Sequence, residues 1–501
     1  MVDELTTKKE ENATLSVNQA SCRGLLPIVV DLDGTLTPTD TLIEGVISTI
    51  QQNPCSLLFL PFWLMKGKSA FKEKIAAHAE IAAEHLPYHE SFLSYLRKEK
   101  EKGRSILLAT ATHQSIAHKV ATHLGLFDGV IASDAQHNLK GKAKLAAIRE
   151  KITGGFIYAG DSDADLPIWK AAQGAILVGA SPSVTKVVRE HIPIEQEFIR
   201  EKISAVDWLR ALRVHQWLKN VLLFVPMLTA FSFTDLDKMA IMVVAFFSFS
   251  FAASATYIVN DLWDLGNDRM HPRKRFRPFA SAKIPILYGL VMAGGMLLLA
   301  FFMAFVVSFN FFLMLCVYLI LTSAYSWTLK QYVLIDVLML SILYTLRILA
   351  GSVAIEIITS AWLLAFSVFT FFSLALVKRC AELVSMKQSG MEATRGRDYR
   401  VTDLVILWPL GIGAALSAVV VFGLFINAPD TQVRYVTPEL LWFVTIGLIY
   451  WLARLWIKTA RGEMHDDPII FAMKDFGSQV TIFTMVATVI TARFLSIDVA
   501  L

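Results

Sequence analysis

Cysteine is scarce in this chain. The 501 residues hold four, Cys22, Cys55, Cys316 and Cys380, and no two form a CxxC pair. Thiols so few and scattered exclude a disulfide framework or a zinc site and fit a reducing environment. A large excess of charge of one sign is also missing. The formal net charge is +4, too small for a nucleic-acid-binding surface, so no nucleic-acid partner is expected. The N-terminus, MVDELTTKKEENATLSVNQ, has no apolar core of the kind a signal peptide needs. Residues 1–24 read as a disordered lead-in.

What is abundant is apolar surface. Hydrophobic residues make up 55% of the chain, and the mean hydropathy is +0.51. The excess is uneven. Residues 1–205 mix charged and apolar residues as a globular domain does. From about Trp217 on, apolar runs of roughly 20 residues recur, the length that crosses a bilayer core.

In the first half, LPIVVDLDG, SILLATAT and GFIYAGDS share one pattern: a buried apolar strand, then polar residues at its carboxyl end. Helical stretches such as SIAHKVATHLGL lie between them. The alternation predicts a parallel α/β sheet over residues 25–204, with ligands bound at the strand ends. Residues 40–103 form a helical insertion, a cap. Its CSLLFLPFWLMKGK run is too short to span a membrane. It reads as a core helix of the cap or as a patch resting on the bilayer surface.

In the second half, nine spans are expected, near 217–232, 239–259, 285–307, 309–328, 333–356, 361–380, 404–426, 437–456 and 477–496. Arg210, Arg213 and Lys219 precede or open the first. The connections after the second, fourth, sixth and eighth are basic, whereas the others carry only two Lys/Arg in all. By the positive-inside rule the α/β domain and the basic loops are cytoplasmic and the C-terminus lies outside. The expected setting is a bacterial-type cytoplasmic membrane, with an all-α bundle over 205–501.

At the first strand end, DLDGT places Asp31 and Asp33 two residues apart. One carboxylate can attack phosphorus while the other protonates the leaving group and then activates water. Thr110, at the next strand end, suits a phosphoryl oxygen. Lys144, with Lys142 as a neighbouring candidate, suits the charge on the transferring group. Asp161 and Asp165 complete a Mg²⁺ site with Asp31, hard oxygen ligands for a hard ion, and Asp33 is a further candidate ligand. In this order, these residues resemble the haloacid dehalogenase phosphatase superfamily over about residues 25–200. The resemblance implies Asp31 as nucleophile, Asp33 as acid and base, and Thr110, Lys144 and Asp161 with Asp165 as the later motifs.

The second constellation is YIVNDLWDLGNDRMHPRKRFRP, residues 257–278. Charge beside lipid is costly unless it has a use. If the helix continues past Asn260, then Asp261, Asp264 and Asp268 share one narrow face. Carboxylates so placed call for Mg²⁺, which binds one or two of them together with substrate phosphates. Arg273, Lys274, Arg275 and Arg277 can then meet anionic oxygens. The motif resembles the UbiA superfamily of membrane transferases over about residues 205–500. That resemblance implies nine helices around a cavity and ionisation of a Mg²⁺-bound diphosphate ester.

A second aspartate-rich motif is absent. The corresponding loop offers Lys378, Arg379 and Glu382 instead. With RVHQWLKN (Arg213, Gln216, Lys219), YSWTLKQYVLID (Tyr325, Lys330, Asp336), Arg347 and HPRKRFRP, the chain looks like the polyprenyl-phosphate (decaprenyl-phosphate) phosphoribosyltransferase branch. This implies phosphoribosyl diphosphate as donor, a polyprenyl phosphate as acceptor, and a phosphatase that removes the 5-phosphate of the product. The alternatives are prenyl transfer to an aromatic acceptor and, from another class, a transporter or scaffold regulated by its α/β domain. Asp336 and Arg347 are either functional intramembrane charges or an internal salt bridge. Oligomeric state is not legible.

Overall fold

The computed structural model describes residues 25–134, 136–390, 397–464 and 467–496. Cys22 and the expected lead-in lie outside them. The described chain forms two compact units that do not follow chain order. One takes in residues up to Leu212 together with Tyr257–Ala293. The other takes in Arg213–Thr256 and the chain from Gly294 on.

The first unit holds a six-stranded parallel sheet: β1 (Ile28–Val30), β2 (Ile106–His113), β3 (Gly129–Ser133), β4 (Ile157–Gly160), β5 (Gly174–Val178) and β6 (Ile194–Phe198). The order is β3-β2-β1-β4-β5-β6, so β1 is central and the chain reverses direction across it. The carboxyl end of β1 therefore lies at the crevice where such sheets bind ligands. Ile28, Val29 and Val30 are fully buried, as strands covered on both faces require. Helices α1 (Thr41–Gln52), α2 (Ser56–Met65), α3 (Lys68–His78) and α4 (Glu90–Glu101) form the cap between β1 and β2. Then α5 (Gln114–Leu124), α6 (Lys142–Lys151), α7 (Leu166–Trp169) and α8 (Pro182–His191) connect the strands. Local chemistry sets these boundaries. Asp40 accepts the amides of Leu42 and Ile43 at the start of α1, and Gly125 (φ 63°) ends α5 in a left-handed turn.

Helix α2 joins the core along one stripe only. Leu60 and Trp63 pack inward against the cap and sheet core. Leu57, Leu58, Phe59, Phe62, Leu64 and Met65 are exposed.

Among the described residues, seven helices are long and apolar enough to cross a membrane: α9 (Leu236–Trp263), α11 (Ile286–Val307), α12 (Phe309–Trp327), α13 (Ile335–Ala354), α14 (Ala361–Gln388), α15 (Val401–Ile426) and α16 (Pro438–Ala460). Helix α10 (Leu265–Met270) follows α9 directly. An eighth crossing arises if α17 (Pro468–Lys474) and α18 (Phe476–Phe494), bent by 88°, count as one. The expected first span takes another form. Val214–Phe224 winds as a 3₁₀ helix and runs into a short α-helix, Val225–Thr229. The segment begins at Arg213 in a left-handed conformation (φ 51°). Pro226, near the junction, offers no amide to an α-helical ladder. Its backbone touches α13: a Cβ on Gly351 would lie 2.0 Å from the Leu223 carbonyl oxygen.

Candidate active site

Asp31 ends β1, where its amide donates to Ala159 O (3.0 Å) and its Oδ1 accepts from Leu32 N (2.7 Å). The chain turns at Gly34, whose φ of 79° favours glycine. A Cβ there would also lie 2.3 Å from Asp161 Oδ2. Asp165 is held by Tyr158 Oη (2.7 Å) and Ser162 Oγ (3.2 Å). Asp31, Asp161 and Asp165 each bring one oxygen to within 4.8 Å of the others, the one such grouping among the described residues. Lys144 Nζ donates to Asp31 Oδ2 (2.6 Å) and Tyr158 Oη (3.1 Å). Lys142, by contrast, is exposed at the start of α6.

The electrostatics follow from this crowding. Burial, then Asp165 and Asp31, push the Asp161 carboxyl up to about 7. Burial also raises Asp31, against the opposing pull of Lys144. Burial pulls Lys144 down, but Asp31 and Asp165 outweigh it and hold the ammonium above its usual value. Hard oxygen donors that raise one another's pKa fit a divalent cation such as Mg²⁺.

Two assignments change. Asp33 is not in this grouping, because its oxygens are committed elsewhere: Oδ1 accepts from Thr41 N (2.8 Å) and Oδ2 from Thr112 Oγ1 (2.5 Å). Burial, then Asp40, push it up to about 6, as an acid–base group needs rather than a ligand. Thr110 is buried in β2 and accepts Thr112 N (3.1 Å). The register of β2 shifts between Ala109 and His113, and in that irregular stretch Thr112, not Thr110, lines the cavity. The expectation named Thr110 alone, and no local motif pointed to Thr112.

These groups floor a cavity of about 610 Å³. Leu64, Lys68 and Lys72 of the cap line it, as do Ile286 and Leu287 from the first turn of α11. Lys72 Nζ reaches Ala111 O (2.6 Å) and Asn138 Oδ1 (2.8 Å). No sequence motif marked it.

The NDLWDLGND stretch belongs to the same compact unit. Its helix does not run on unbroken. Helix α9 ends at Trp263, Asp264 leaves helical geometry (ψ 14°), and α10 resumes at Leu265. Asp261 and Asp268 are buried and Asp264 half-buried. Arg277 Nη1 bridges Asp261 Oδ1 (3.1 Å) and Asp268 Oδ2 (2.6 Å). Lys274 Nζ is 3.9 Å from Asp268. The three aspartates therefore do not converge as a bare triad. The backbone departs from helical geometry at Asp264, and a guanidinium stands between Asp261 and Asp268. Arg275 stacks on Phe276, 4.8 Å from the ring centre. Arg269, unmarked by the sequence, makes a bidentate pair with Glu44 of the cap (2.7 and 2.8 Å).

In the second unit, Lys219 Nζ (2.9 Å) and Lys378 Nζ (3.4 Å) share Asp467 Oδ2. Asp467 is a carboxylate the sequence reading passed over. Asp336 and Arg347 do not pair. Asp336 is fully buried and accepts from Arg379 Nη2 (2.5 Å) and Tyr399 Oη (2.5 Å). Arg379 also meets Glu382. Arg347 instead donates to Asn220 Oδ1 (2.9 Å) and Tyr318 Oη (3.0 Å). Tyr325 ends α12's last turns, and Lys330 follows in a 3₁₀ turn; both are half-buried, as is Arg213.

A phosphatase-like carboxylate cluster on a capped parallel sheet, in a chain with at least seven apolar helices, defines a membrane enzyme of two parts. The haloacid dehalogenase-like hydrolase family matches residues 28–170. The chain belongs to the UbiA prenyltransferase family, which matches residues 221–475. It is therefore a membrane-bound transferase with a phosphohydrolase domain. It is 41% identical over 457 residues to the uncharacterized protein y4nM of Sinorhizobium fredii, covering 90% of this chain and 88% of that one. It is 35% identical over 281 residues to the nodulation protein NoeC of Azorhizobium caulinodans, covering 56% and 91%. A decaprenyl-phosphate phosphoribosyltransferase of Mycobacterium tuberculosis is 30% identical over 289 residues, covering 56% and 92%.

Proposed function

We propose that the chain transfers phosphoribose from phosphoribosyl diphosphate to a polyprenyl phosphate and then hydrolyses the 5-phosphate of the product. The observation that carries this reading is the assembled Asp31, Lys144, Asp161 and Asp165 cluster within a UbiA-family chain. The similarity to a phosphoribosyltransferase and the basic tail after NDLWDLGND favour this donor over a prenyl diphosphate.

In the phosphatase step an Asp31 oxygen attacks phosphorus and the ester P–O bond breaks. Asp33 gives its proton to the departing ribose oxygen. A water molecule, deprotonated by Asp33, then attacks the Asp31 phosphate and releases inorganic phosphate. Lys144 orients Asp31 and opposes the effect of burial on it, and Thr112 holds Asp33. Mg²⁺ held by Asp31, Asp161 and Asp165 would neutralise phosphoryl oxygens.

In the transferase step the anomeric C–O bond to diphosphate breaks and the acceptor phosphate oxygen bonds to that carbon. Asn260, Asp261, Asp264 and Asp268 would hold Mg²⁺ and with it the diphosphate once Arg277 turns from Asp261 and Asp268 to the donor's oxygens, with Lys274 and Arg275 as further cations. Lys219, Lys330, Arg347 and Lys378 are further cations for phosphate oxygens. We also propose nine crossings. The 3₁₀ segment at about 2 Å per residue, with the short helix after it, supplies about 30 Å of chain. The bent α17–α18 pair is the ninth. The phosphatase unit and basic loops then face the cytoplasm.

Purified full-length protein with phosphoribosyl diphosphate, decaprenyl phosphate and Mg²⁺ tests this. Wild type gives a ribosyl lipid and phosphate. Asp31→Asn accumulates the 5-phosphorylated lipid. Asp264→Ala gives neither, and chelation by EDTA stops both steps. Phosphate release by Asp31→Asn equal to wild type rejects the coupling. Turnover of a prenyl diphosphate with 4-hydroxybenzoate, and none of the ribosyl donor, rejects the donor.

A further inference from the structure

Helix α2, SLLFLPFWLM, carries no charge on any face. Its inward stripe, Ser56, Leu60 and Trp63, meets the rest of the cap. The remainder of the helix offers large apolar side chains to the outside, Leu58 at 71%, Phe62 at 64% and Met65 at 84% exposure. Contiguous apolar surface on this scale marks a protein or membrane contact rather than ordinary surface.

Two contacts within the same compact unit fix where this surface lies. Before α2, Gln51 Nε2 donates to the backbone carbonyl of Trp263, the last residue of the crossing helix α9. Near its other end, Leu64 lines the same cavity as Ile286 and Leu287, the first two residues of the crossing helix α11. The chain just before α2 is thus bonded to the end of one crossing segment, and Leu64 shares a cavity with the start of another. At 1.5 Å per residue, ten residues reach about 15 Å, half a bilayer core, so α2 cannot cross. A helix at that level, apolar on its outer side, lies in the interface.

Charge agrees. The segment from Ser56 to Lys72 contains Lys66, Lys68 and Lys72 and no acidic residue, and Lys66 and Lys68 are exposed at the end of the apolar helix. Cations beside an apolar segment complement anionic lipid headgroups.

We propose that α2 is an interfacial anchor: Leu57, Leu58, Phe62 and Met65 insert among the acyl chains of one leaflet, and Lys66 and Lys68 meet anionic headgroups. The anchor holds the mouth of the phosphatase cavity, at Leu64 and Leu287, at the level of the membrane surface. The inference rests on the membrane assignment and not on the identity of the transferase donor.

The test uses full-length protein in phosphatidylcholine–phosphatidylglycerol vesicles, with Cys22 and Cys55 replaced by serine. Leu58→Cys and, separately, Met65→Cys carry an environment-sensitive fluorophore, with Glu73→Cys on α3 as the water-facing control. Spin-labelled lipids bearing the quencher near the headgroup are expected to quench positions 58 and 65 about threefold more than position 73. Both labels should emit further to the blue than the control. Equal quenching at all three positions overturns the proposal. So does efficient disulfide cross-linking between Leu58→Cys copies without lipid quenching, which would assign the surface to a second copy of the chain. Because the readout is optical, its failure is distinct from failure of the enzymatic reading.

Discussion

Lys144 Nζ stands 2.6 Å from Asp31 Oδ2 and 3.6 Å from Asp165 Oδ1, so one buried ammonium serves both the proposed nucleophile and a carboxylate proposed to hold the metal. Removing it leaves two buried carboxylates short of a counter-charge. Lys144→Met is therefore expected to cost about 3–5 kcal/mol in stability and to lower phosphate release from p-nitrophenyl phosphate at least about a hundredfold. Thermal unfolding and initial rates on the full-length protein check both. A variant with near-normal turnover sinks the role given to Lys144.

Asp33 is expected to separate the two halves of the phosphatase cycle. Burial and Asp40 push its carboxyl up to about 6, so it can carry a proton near neutral pH. Asp33→Asn should still accept a phosphoryl group from an activated ester but release it slowly. Rapid mixing should show one equivalent of p-nitrophenol, then turnover reduced by about 10²–10⁴. Thr112→Val, which removes the hydroxyl bonded to Asp33, should show a milder form of the same defect. Thr110→Val should change the rate less.

Arg277 occupies the space between Asp261 and Asp268. On the proposed function, replacing it with methionine removes a cation from the carboxylates proposed to hold Mg²⁺ and from the donor at once. The Mg²⁺ concentration for half-maximal transfer should fall, while the KM for the diphosphate donor rises. A titration in which both move in the same direction argues against a shared role.

Asp336 and Arg379 are both fully buried. Asp336→Asn should destabilise the protein in detergent by about 3 kcal/mol, because the buried guanidinium loses its buried carboxylate and keeps only the half-exposed Glu382. The double variant Asp336→Leu, Arg379→Met should lose less than the two single changes added together, as a double-mutant cycle would show. Additive losses would mean that the two side chains act separately.

The sequence made local features legible. Asp31, Asp161 and Asp165 each follow a buried strand, and strand-end position is a short-range pattern. The parallel sheet, the helical cap and most of the apolar helices were read for the same reason. What escaped depends on distant partners. Glu44 and Arg269 are 225 residues apart, and Asp467 gains meaning only beside Lys219 and Lys378. The choice of Thr112 over Thr110 needed the register shift in β2 between Ala109 and His113. The first expected span needed the backbone packing of Gly351 on Leu223 before its 3₁₀ form was visible. Hydropathy counts apolar residues and is blind to how tightly they wind.

The phosphatase unit is closed by chain that returns after residue 256. Glu44 depends on Arg269, Arg200 donates to Ala282 O (2.9 Å), and Lys283 pairs with Asp207 (3.3 Å). A fragment ending near residue 204 would keep every catalytic carboxylate yet lose one wall of its cavity and the partners of several charged groups. Gene fusion usually joins parts that can be separated at one peptide bond. Here the first part is finished by a loop of the second, so inheritance, folding and any attempt at dissection must treat the two as a single object.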